Sequence, residues 1–103
     1  MANIFSNIPS ELPNEIFENI IRTEKLRVER IVSKGQRSPD TGWYDQRENE
    51  WLIVLSGYGV IEYINGAKVT LKQGDYLNIN AHDKHRVIET SPDETTVWLA
   101  IFY

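Results

Sequence analysis

The chain holds only two histidines, His82 and His85, both in Asn80-Ala81-His82-Asp83-Lys84-His85-Arg86. Upstream, the segment Trp43 to Trp51 (WYDQRENEW) sets Asp45, Gln46, Glu48 and Glu50 between aromatic residues. Glu50 opens an apolar run, Trp51 to Leu55, where a buried carboxylate is costly unless it is paired or bound to a metal. His85 and Val87 share one face of a strand-like stretch, because side chains alternate along an extended chain. An imidazole and a carboxylate facing one interior make a site for a divalent cation. The alternative is a buried polar network in which Gln46, Glu50 and His85 hydrogen-bond one another. Trp43 and Tyr44 flank the site and are candidates for the wall of a ligand pocket. His82 reads as a solvated loop residue. Arg30 and Arg86 could grip an anionic ligand, the commoner role of such arginines being surface pairing.

Other chemistries are excluded by composition. There is no cysteine, which removes disulfides, thiolate metal sites and cysteine nucleophiles. Eleven Lys and Arg against fifteen Asp and Glu give a net charge of −4. With no basic block, nothing suggests a nucleic-acid partner, since phosphate neutralisation drives most such affinity. Gly57-Tyr58-Gly59 lacks the following helix that dinucleotide binding needs, and no Gly-x-Ser-x-Gly elbow or phosphate loop occurs. No organic cofactor is expected. The first residues lack a basic segment and a long apolar run, and the longest apolar run is too short for a bilayer, so a cytoplasmic protein without a membrane partner is expected.

The elements that must position these residues are mostly strands. A chain of 103 residues suits one domain, and 41% hydrophobic with 25% charged residues is globular rather than disordered composition. Leu12, Ile16, Phe17, Ile20 and Ile21 recur at helical spacings, which predicts one short helix from about Pro13 to Arg22. Residues 1–24 then form an arm and helix, and residues 25–103 a β-barrel. Strands are predicted at Leu26–Ser33, Glu50–Ser56, Val60–Ile64, Lys68–Leu71, Tyr76–Ile79, Arg86–Glu89 and Thr95–Tyr103. Asn65-Gly66 is a hairpin signal. Many short strands with Gly-rich turns indicate an all-β barrel or sandwich. The strands at Trp51–Leu55 and Val97–Phe102 are apolar on both faces and need cover on both, which predicts a homodimer.

Two segments resemble the motifs of the cupin family. Glu50 and Gly57 match the Glu–Gly spacing of the first motif. Its two histidine positions fall on Tyr44 and Gln46 with the shorter spacing, or on Trp43 and Asp45 with the longer. In the second motif Gly74 and His85 match, whereas Asn80, His82 and Glu89 replace Pro, Gly and Asn. Together with VERIVSKGQ, QGDYLNINAHDKHRV, TSPDE and WLAIFY, nearly the whole chain is similar to small single-domain bacterial cupins. The resemblance implies a jelly-roll-like double-stranded β-helix, often dimeric, with no single reaction attached. It also implies a divalent metal (Mn, Fe, Ni or Zn) inside the barrel, on Gln46, Glu50 and His85, with Asp45 as a further ligand. A small polar metabolite would bind beside it; the alternative is a metabolite-binding or dimeric interaction module without metal.

Overall fold

The computed structural model describes all residues, 1–103. Eight strands follow in order: β1 (Ile16–Arg22), β2 (Arg27–Ser33), β3 (Glu50–Ser56), β4 (Tyr58–Tyr63), β5 (Lys68–Lys72), β6 (Tyr76–Ile79), β7 (His85–Thr90) and β8 (Thr96–Phe102). They form two antiparallel sheets, one ordered β1-β2-β8-β3-β6 and the other β5-β4-β7. The core lies between them, built from Leu52, Val54, Ile61, Leu71, Ile79, Trp98, Ala100 and Phe102. No helix is long and apolar enough to cross a membrane.

The predicted helix at Pro13–Arg22 is absent: Ile16–Arg22 is a strand paired with β2. The register shifts between Asn19 and Ile21. One extra residue in a strand reverses which face the following side chains take. The bulge therefore turns a period of two into apolar spacings of three and four, which imitate a helix. Its β-branched residues suit an extended chain, and Thr23 closes the hairpin by accepting the Leu26 amide at 3.0 Å. Phe17, Ile20 and Ile21 stay about half exposed along this outer strand. At the β4–β5 turn Gly66 alone takes the left-handed conformation, with φ of 93°; Asn65 caps it by accepting the Ala67 amide at 2.9 Å.

Strand register fixes which side chains face the interior. Phe17 pairs with Ile31 and Ile31 with Trp98. Glu29 pairs with Ala100, and Ala100 with Leu52. Arg27 pairs with Phe102, and Phe102 with Glu50. These three rows run across the large sheet. The small sheet answers with Ile61 opposite Val87 and Tyr63 opposite His85.

Candidate functional site

A cavity of about 380 Å³ lies between the sheets at one end of the barrel, a size ordinary for small-molecule sites. Arg27, Glu29, Tyr44, Gln46, Glu50 and His85 form its polar lining; Phe17, Trp98 and Phe102 are among its apolar walls.

The segment before β3 sets the mouth. Tyr44 bridges to His85 through paired backbone hydrogen bonds of 2.8 and 3.2 Å, and the Gln46 carbonyl accepts the His82 amide at 2.9 Å. Asn49 and Tyr103 exchange two backbone bonds, of 2.8 and 3.0 Å. The segment thus runs extended across the barrel end, and its side chains alternate. Tyr44 and Gln46 point into the cavity. Trp43 and Asp45 take the other face, which departs from the expectation that they belong to the site. Asp45 instead meets the exposed His82, Oδ1 to Nδ1 at 2.8 Å. Trp43 lines a separate shallow hollow, where the Arg86 guanidinium stacks 4.2 Å from its ring centre. Of the two motif spacings, the shorter one describes the inward residues.

Gln46, Glu50 and His85 come together. Gln46 Nε2 donates to Glu50 Oε1 at 2.9 Å, and His85 Nε2 lies 3.4 Å from the same oxygen. The two side chains of that pair are 4% and 11% exposed, so water screens their charges little. The Asp83 carbonyl, 2.8 Å from His85 Nδ1, can only accept, so Nδ1 carries a proton. Burial pushes the His85 pKa down. The hydrogen bond to Glu50, that to the Asp83 carbonyl and the charges of Glu50 and Asp83 outweigh burial, and the net direction is upward. When protonated, the ring donates at both nitrogens, and Glu50 Oε1 then receives two donors. Glu50 Oε2, which no protein donor reaches, can accept from a bound hydroxyl or amine.

The residues do not fit a resident divalent metal. Only Glu50 and His85 are strong donors here, and the amide of Gln46 turns its N–H toward Glu50. No three His, Cys, Asp or Glu side chains converge in an arrangement able to hold an ion. A cation would have to displace the proton between His85 and Glu50 and would still gain too few ligands for these metals.

Arg27 and Glu29 also line the cavity, although their spacing in the sequence does not mark them as site residues. Arg27 reaches Glu29 at 3.1 Å and Glu48 at 3.2 Å, with its guanidinium 3.9 Å over the Phe102 ring. The signal was a charged residue at alternate positions Arg27 and Glu29 leading to Ile31, an inward row that only the register identifies. Neither arginine singled out for anion binding faces this cavity. Arg30, buried on the outer side, donates to the carbonyls of Ile4 and Ser6 and to Glu18, tying down the N-terminal arm. Arg86 pairs with Glu62 at 2.8 Å.

A two-sheet barrel with its polar cluster at one end, carried by β3 and β7, is the architecture of cupins. The chain belongs to the cupin family: the cupin domain model matches residues 29–102. A proposed mannose-6-phosphate isomerase from Ralstonia eutropha JMP134 is 41% identical, with 99% of this chain and 95% of that one covered at a TM-score of 0.94. A cupin superfamily protein from Desulfitobacterium hafniense DCB-2 is 16% identical over 92% of this chain and 82% of its own (TM-score 0.75). The Fe(II) form of HppE is 15% identical over 94% of this chain and 54% of its own (TM-score 0.74). These last two likenesses speak to the fold alone. No match is found among curated proteins.

Proposed function

We propose that this cupin binds one small organic molecule, with polar groups and an apolar body, between its two sheets, and that Gln46, Glu50 and His85 form the polar end of that site. The observation that carries this reading is a nearly buried His85–Glu50 pair opening onto a cavity of about 380 Å³. Aliphatic and aromatic walls would hold the body of the ligand, and Glu50 with His85 would orient its polar group. No step is assigned to a metal, because the donor set falls short of a cation site. The test is calorimetric titration of untagged protein with a panel of small alcohols, amines and carboxylic acids, and separately with Mn, Fe, Ni and Zn salts. The expected result is 1:1 binding of an organic compound that Glu50→Gln weakens, and no stoichiometric binding of metal. One tightly held metal per chain, with no organic compound bound, would overturn it.

We also propose that the chain forms a homodimer. The half-exposed Ile20 and Ile21 on the edge strand support it. Sedimentation at micromolar concentration should then give twice the chain mass, and a monomer would refute it.

A further inference from the structure

The cavity is acidic as well as aromatic. Glu15, Glu29 and Glu50 line it, against Arg27 and His85. Counting His85 as charged, three carboxylates face two cations, and both cations are already engaged. Arg27 is held by Glu29 and Glu48, and His85 by Glu50. Each carboxylate commits one oxygen to protein donors. Glu15 Oε2 accepts from the Ser33 hydroxyl at 2.7 Å, Glu29 Oε2 from Arg27 at 3.1 Å, and Glu50 Oε1 from Gln46 at 2.9 Å. The second oxygen of each has no protein donor. An entering anion would find no free cation and would be repelled at short range in a site of low dielectric.

The aromatic lining describes the complementary ligand further. Phe17, Tyr44 and Trp98 supply aromatic surface around these carboxylates, and aromatic faces attract cations. Trp98, 4% exposed, forms part of the cavity wall, so its indole N–H, buried and without a protein partner, is a spectroscopic reporter beside the cavity.

We infer that the cavity takes a small organic ammonium ion rather than a phosphate ester. The inference rests on the reading that the cavity binds a small molecule, and it names the class. It also separates this chain from the sugar phosphate named for the Ralstonia relative, whose dianion this wall has no free cation to receive.

Three probes that share one ring test it: cyclohexylamine, cyclohexanol and cyclohexyl phosphate, titrated near neutral pH while the Trp98 indole N–H resonance is followed by NMR. Trp98→Phe assigns that signal. The amine, protonated under these conditions, should bind about tenfold more tightly than the alcohol, and the phosphate should give no saturable shift. Glu29→Gln should weaken the amine severalfold and leave the alcohol unchanged. Glu15→Gln, at the cavity rim, repeats the test should Glu29→Gln fail to fold. Saturation by the alcohol or the phosphate at or below the amine concentration would overturn the charge class while leaving the binding site standing. Silence from all three probes would overturn both.

Discussion

The two ends of the barrel use the same strands for opposite purposes. On β3 the inward positions run from Glu50 through Leu52 to Val54, which is fully buried. On β8 they run from Phe102 through Ala100 and Trp98 to Thr96, also fully buried. At the Val54–Thr96 end the sheets approach closely. Gly57, at φ of 78°, lies so near Thr96 that an added Cβ would sit 2.7 Å from its Cα, and Gly59 lies directly against the Trp98 ring. At the Glu50–Phe102 end the cavity opens, and Arg27, Glu29, Glu50 and His85 line it. The closed end is stabilised by packing. The open end holds charges that must be answered by one another or by a ligand.

Substitutions rank the two ends. Gly57→Ala carries both a backbone strain and a clash with main chain, and should cost about 3 kcal/mol or more in denaturant unfolding. A loss below about 1 kcal/mol would mean the closed end is looser than described. Leu71→Ala, which opens a void in the core, should cost about 2–4 kcal/mol by the same measurement.

At the open end His85→Gln should cost less, about 1–3 kcal/mol, because it leaves Glu50 short of one donor. This loss should depend on pH. The folded His85 pKa is raised above its unfolded value, so its contribution is fully present below the ordinary imidazole value of about 6.5 and fades as pH rises through the folded value. Unfolding curves of wild type and variant should therefore converge toward alkaline pH. Divergence there would reverse the sign. The smallest effect belongs outside the cavity: His82→Asn, chosen because asparagine tolerates the φ of 65°, should change stability by less than about 1 kcal/mol, since the pair with Asp45 is exposed.

The same comparison explains what could be read from the sequence. Seven of the strands were legible from alternation and turn signals; β1 was disguised by its bulge. The pairing of a mid-chain acid with a late imidazole followed from Glu50 opening an apolar run and His85 sharing a face with Val87. The choice between Tyr44 with Gln46 and Trp43 with Asp45 did not follow, because a one-residue slip inverts every side chain of an extended segment. Arg27 and Glu29 stayed hidden for a related reason: both faces of β2 carry arginine and glutamate or apolar residues, and only its pairing with β8 decides which row turns inward.

Glu50 and His85 are in direct contact at the heart of the open end. The decisive measurement is the titration of the His85 ring nitrogens by 15N NMR in protein as purified. Both nitrogens should carry protons with a midpoint above about 6.5, and Glu50→Gln should move that midpoint down. A ring that stays neutral at all pH values, unaffected by Glu50→Gln, would contradict the pairing.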